Sequence, residues 1–87
     1  MAQVYIPHQM RELTGGVERI ELAGETVRQL IAALDERFPG LAQRLRTADG
    51  LTPGLSVSVD GALAARGLHA RVSSASEVHF IPAIGGG

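Results

Sequence analysis

Thr26-Val27-Arg28-Gln29-Leu30-Ile31-Ala32-Ala33-Leu34-Asp35-Glu36-Arg37-Phe38-Pro39-Gly40 is the stretch whose periodicity decides the architecture. Val27, Leu30, Ile31, Leu34 and Phe38 recur at i, i+3, i+4, i+7 and i+11, which places them on one face of an α-helix. Arg28, Gln29, Asp35, Glu36 and Arg37 fill the opposite, solvated face. Thr26 stands where an N-cap is needed, and Gln29 three residues on completes a capping-box pattern. Pro39-Gly40 ends the run. The spacing predicts one helix over about 26–38, apolar on a single side, so a sheet must lie beneath it.

Working outward from the helix supplies that sheet. Before it, Val17-Glu18-Arg19-Ile20-Glu21-Leu22 alternates as a half-buried strand does, and Gln3-Val4-Tyr5-Ile6 is β-prone and ends at Pro7. Thr14-Gly15-Gly16 between them reads as the turn of a hairpin. After the helix, Leu41 and Leu45 predict a short helical turn packed on the core, and residues 49–54 a loop. Leu55-Ser56-Val57-Ser58-Val59 alternates strictly and is followed by an Asp60-Gly61 turn. Residues 62–76 are weakly patterned, with Leu63, Leu68 and Val72 as the expected anchors. Val78-His79-Phe80-Ile81 reads as a last strand, and Pro82 to Gly87 as an extended tail.

The order β-β-α-β-(β)-β excludes a simple series of βαβ units and indicates an α+β fold, one main helix covering one face of a mixed sheet. The expected core sets the helix face against Val4, Ile6, Val57, Val59, Val78 and Phe80. Alternation then turns His79 and Ile81 to the other side of the last strand.

With 87 residues, 45% of them hydrophobic, the chain makes one small domain that can fold unaided but has little room for a deep active site. Its eight basic residues, all Arg, are offset by nine acidic ones, which argues against a nucleic-acid partner. No apolar run approaches the roughly 20 residues of a membrane span. The N-terminus has no charged, then apolar, leader pattern, so a cytoplasmic protein is expected. There is no Cys, which removes disulfides, thiolate metal sites and Cys nucleophiles. His8, His69 and His79 lack metal-ligand spacing, so no metal is expected. Thr14-Gly15-Gly16 lacks the Lys-Ser/Thr of a phosphate loop.

The sequence resembles the MoaD/ThiS-type sulfur carriers, among them the molybdopterin synthase small subunit and the carriers of thiamine and cysteine biosynthesis. The resemblance rests on Ile6-Pro7-x-x-Met10-Arg11-x-x-Thr14-Gly15-Gly16, on Thr26-Val27 opening a helix that ends Leu34-Asp35-x-Arg37-Phe38-Pro39-Gly40-Leu41, and on Val78-x-Phe80-Ile81-Pro82-Ala83 running to a terminal Gly-Gly. It covers almost the whole chain. Two places depart from the family pattern: Asp60 stands where many relatives have Asn, and Ser74-Ala75-Ser76-Glu77 replaces a Gly-Asp turn before the last strand.

The resemblance implies a β-grasp, ubiquitin-like fold with four to five strands, residues 1–82 forming the domain and 83–87 a flexible tail. It also implies a protein that is not itself an enzyme. An E1-like adenylating or sulfurtransferase enzyme would use ATP to activate the Gly87 carboxylate, and sulfur would displace AMP to leave a thiocarboxylate for a sulfur-accepting biosynthetic enzyme. The carrier itself would bind no cofactor. Gly85 and Gly86 suit such a role, because bare backbone enters a narrow channel and adopts φ/ψ values closed to other residues. From Ala83 to Gly87 the arm reaches about 17 Å when extended. His79 and Ile81, followed by Pro82 and Ile84, form the expected docking stretch for these partners. A ubiquitin-like modifier joined through Gly87 to lysines of target proteins is the alternative that shares the same activated terminus.

Overall fold

The computed structural model describes residues 1–82; residues 83–87 fall outside the described residues, and with them the tail positions Ile84, Gly85, Gly86 and Gly87. In chain order the elements are β1 (Ala2–Tyr5), a 3-10 turn (His8–Thr14), β2 (Arg19–Leu22), α1 (Val27–Arg37), α2 (Leu41–Leu45), β3 (Arg46–Thr47), β4 (Gly50–Leu51), β5 (Leu55–Val59), β6 (Ala62–Leu63), a second 3-10 turn (Gly67–His69) and β7 (Glu77–Pro82). Five strands form one sheet in the order β2-β1-β7-β5-β6, and β3 and β4 form a separate two-stranded ribbon. β1 and β7 run parallel at the centre, with Val4 beside Val78, and every other neighbour is antiparallel. The sheet is therefore mixed, as the element order requires.

The helix forms where its periodicity places it. Thr26 is extended, and its Oγ1 accepts from the Gln29 N–H at 3.2 Å. Gln29 Oε1 accepts in return from the Glu25 N–H at 2.7 Å, one residue further back than in the usual reciprocal box. Val27, Leu30, Ile31 and Leu34 are all buried, in one core with Val4, Ile6, Val57, Val78 and Phe80. Each fully buried Val, Leu or Ile contributes roughly 1.5–3 kcal/mol relative to leaving it exposed. Phe38 and Val59, expected in that core, are only half-buried and pack against its edge. Phe38 has already left the helical conformation as the C-cap, which turns its side chain from the helix's apolar stripe. Leu41 and Leu45 of α2 are completely buried.

Asp35 is not simply part of a solvated face. Its Oδ1 accepts from the backbone N–H groups of Gly40 and Ala42, each at 3.1 Å, and so ties α1 to the start of α2. Gly40 allows the reversal with φ +98°, a left-handed conformation that suits Gly.

Three further expectations are corrected. β1 and β2 pair antiparallel and Gly15-Gly16 is a turn, but that turn is only the end of their connection, because the seven-residue 3-10 turn His8–Thr14 precedes it. Pro7 leads into that turn, Arg11 Nε donates to the Ile6 carbonyl at 3.1 Å, and buried Met10 anchors it, so local polar contacts and one apolar contact hold a longer path. Residues 49–54 are not all loop, because Gly50–Leu51 pairs with Arg46–Thr47. Leu63 is not a core anchor: it lies on the edge strand β6 and is 69% exposed, whereas Leu68 and the unforeseen Ala70 are buried. Strands as short as β3, β4 and β6 carry too few residues to show a period.

Candidate functional site

The residues that lead into the tail are built by β7. Val78 and Phe80 enter the core, and His79 and Ile81 turn outward, Ile81 being 42% exposed. Residues directly opposite across a ladder share a face. The register therefore lines up Leu63, Ser58, His79, Tyr5 and Arg19 in one row across the outer side of the sheet. Ser56 lies opposite Ile81 in the next row. Tyr5 and His79 stack with ring centroids 4.1 Å apart and planes inclined by only 8°. The stack fixes the imidazole over its parallel neighbour, and Glu77 Oε1 lies 3.9 Å from His79 Nε2. This outer side of the sheet is mixed apolar and polar, with the stacked Tyr5–His79 pair among its residues.

A groove of about 450 Å³ runs beside this surface, lined by Tyr5, Ile6, Pro7, His8, Arg11, His79, Ile81 and Pro82 among others. Its far wall is the first part of the 3-10 turn after β1. Pro82, the last described residue, lies in that groove, so the chain enters the tail there. The structure thus brings His79, Ile81 and Pro82 together beside the tail's origin. Ile84, Gly85, Gly86 and Gly87 lie outside the described residues.

Tyr5, Arg11 and the groove were not among the expected site residues. Tyr5 alternates with Val4 and Ile6, so its outward face was readable, but its pairing with His79 depends on the parallel contact of the first and last strands. Nothing local in either strand encodes that contact.

The opposite end of β7 is clamped. Asp60 and Gly61 both have positive φ, 53° and 85°, as the two central residues of a type I′ hairpin loop require. The Asp60 carboxylate accepts from the Glu77 N–H at 2.9 Å and from the Ser76 hydroxyl at 3.1 Å. Ser76 is buried, its Oγ accepts from the Ser73 N–H at 2.9 Å, and its carbonyl accepts from the Gln3 N–H at 2.9 Å. The two departures from the family pattern are therefore in contact with each other and set the start of the last strand.

Nothing in these arrangements is a catalytic constellation. The described residues contain no group of three His, Asp or Glu side chains placed to hold a metal ion. No helix among them is long and apolar enough to cross a membrane.

This architecture, a five-stranded mixed sheet under one main helix, is the β-grasp of the ubiquitin-like proteins. The ThiS family model matches residues 4–87, so the chain belongs to the ThiS family. Comparison with curated protein sequences produced no match. Among solved structures, a chain of the Amycolatopsis orientalis BexX/CysO complex is 30% identical with TM-score 0.92, the match covering 100% of both chains. Mycobacterium tuberculosis CysO, described as an antigen, is 24% identical with TM-score 0.87, covering 97% of this chain and 100% of that one. The small archaeal modifier protein SAMP1 of Haloferax volcanii is 26% identical with TM-score 0.73, covering 99% and 98%. These relatives place the chain among the MoaD/ThiS-type sulfur carriers and ubiquitin-like modifiers.

Proposed function

We propose that this protein is a cytoplasmic sulfur carrier whose reactive group is the carboxylate of Gly87. An adenylating enzyme joins that carboxylate to the α-phosphate of ATP and releases pyrophosphate. Hydrosulfide then attacks the acyl carbon, AMP leaves with the electrons of the acyl–phosphate C–O bond, and the terminus becomes a thiocarboxylate that a biosynthetic enzyme consumes. The chain itself supplies no catalytic group. Its domain presents the terminus, and the face of Tyr5, His79 and Ile81 meets the activating and accepting enzymes in turn. The observation that carries the reading is the family match, which spans residues 4–87 and so includes the terminal glycines.

The test is intact mass after incubation with a candidate activating enzyme, ATP and a sulfur source. The expected result is a gain equal to one sulfur-for-oxygen exchange, mapped to the C-terminal peptide and absent when Gly86-Gly87 is deleted. Such a deletion should leave thermal stability unchanged, because a terminal arm contributes little to a core. A truncated chain that still gains the mass overturns the assignment of Gly87.

The likeness to the archaeal modifier protein supports a second reading, conjugation of the same activated carboxylate to lysines of target proteins. A ladder of Gly87–lysine isopeptide conjugates in cells, lost with the same truncation, would select it over sulfur delivery.

A further inference from the structure

A second cleft, of about 540 Å³, opens on the side of the molecule formed by the first turn of α1, the β3–β4 ribbon, the β5–β6 hairpin and the second 3-10 turn. None of its lining residues belongs to β7 or to the groove at the tail's origin. Arg28, Arg46, Arg66 and His69 line it, with Asp49 as the one acidic neighbour. Three arginines against one aspartate give the cleft a formal charge of +2. The whole chain is −1, so the remainder carries −3. No arginine among the described residues has a carboxylate within ion-pair distance. Asp35 and Glu36 border the adjoining groove shared by Arg28 and Arg46, and Asp35 is occupied in capping α2.

The cleft's walls are held in place. The Val27 N–H donates to the Ala70 carbonyl at 3.0 Å, and the Val72 N–H to the Glu25 carbonyl at 3.0 Å, tying the segment after the second 3-10 turn to the start of α1. Gly67 sits against Leu51 with φ +53°. The lining also includes apolar side chains: Leu51 and Leu55 are half-buried, and Leu63 is 69% exposed.

We propose that this cleft docks an acidic segment of a protein partner, one in which carboxylates flank an apolar side chain. Arg28 and Arg66 are exposed, so a small anion held by charge alone would be largely screened by water. Binding there needs apolar burial together with charge pairing, and the Leu51, Leu55 and Leu63 surface set among arginines provides both. The cleft shares no residue with β7 or with the groove at the tail's origin, although Ser56 and Leu63 bring its border to the edge of the outer sheet face. The inference does not rest on the chemistry of Gly87.

Nitrogen-15 NMR titration of the full chain with the acetylated, amidated peptide DELFDE tests it. Saturable shifts centred on Arg28, Arg46, Leu51 and Arg66 are expected, weakened by added salt and absent with KKLFKK. Arg28→Glu together with Arg66→Glu should weaken binding by at least about tenfold, as charge reversal at a close pair does. Both side chains are exposed, so this variant should melt like wild type. Arg66→Gln should give a smaller loss, and Ile81→Asp none. Shifts centred on His79 and Ile81, no saturable shift, an equal response to inorganic phosphate alone, concentration-dependent self-association through the same residues without peptide, or unaltered affinity in the double variant would each overturn the proposal.

Discussion

Val78 and Phe80 are buried with the apolar face of α1, whereas His79 and Ile81, their neighbours along the same strand, look outward from the sheet. One side of β7 is held by packing from Val27, Leu30, Ile31 and Leu34. The other is ordered by register and by a single aromatic stack with Tyr5. The contrast separates what keeps the domain folded from what it leaves exposed on its surface, within six residues of one strand. Core positions here have no freedom that would not cost stability. The outward positions can be changed with little effect on the fold, and any effect should be read in binding.

The comparison can be broken or sharpened by substitution. Leu30→Ala should be the most damaging change, about 2–5 kcal/mol of stability, because Leu30 is completely buried and a cavity would remain. Urea unfolding with an unchanged slope would measure it, and a loss under about 1 kcal/mol would mean that the core collapses onto the gap. Ile81→Asp should keep the wild-type unfolding midpoint and weaken binding to an activating or accepting enzyme by about 2 kcal/mol or more. Equal affinity of variant and wild type for every such enzyme would remove this face as a docking surface.

Asp60→Ala should cost about 1–2 kcal/mol, since it leaves the Glu77 N–H without its partner and puts Ala at a positive φ. Asp60→Asn should cost less than half of that, because Asn keeps an acceptor oxygen and tolerates the left-handed region. Hydrogen exchange at the Glu77 amide reports the clamp directly, and identical protection in the Ala variant would show that it holds nothing. Thr26→Ala should cost about 1 kcal/mol, the usual value for a lost N-cap. A variant as stable as wild type would place the helix start under the control of tertiary contacts alone.

The helix, its cap and its buried face were legible because eleven residues of strict period carry the same message several times over. β5 was legible for the same reason, and β7's inward and outward sides followed from simple alternation. The 3-10 turn after β1 was not, because Thr14-Gly15-Gly16 looks the same whether it closes a two-residue hairpin or ends a seven-residue turn. Here Gly15, with φ +66°, is the C-cap of that turn. Leu63 was misassigned because a lone Leu in a weakly patterned stretch has no phase to read, and only its pairing with Ser58 on an edge strand exposes it.

The sequence by itself determined the α+β class, the phase of the helix and the family to which the chain belongs, since these depend on local periodicity and on short motifs contiguous in the chain. It also placed His79 and Ile81 on the outward side of the last strand. The tertiary structure alone decided that Tyr5 would stack on His79, that Asp60 would hold Ser76 and Glu77, and that Arg28, Arg46 and Arg66 would converge on one cleft. Each of those contacts joins residues at least sixteen positions apart. The stack and the Asp60 clamp exist only because β7 inserts between β1 and β5, a pairing set by burial of the whole apolar face at once and by no single segment of the chain.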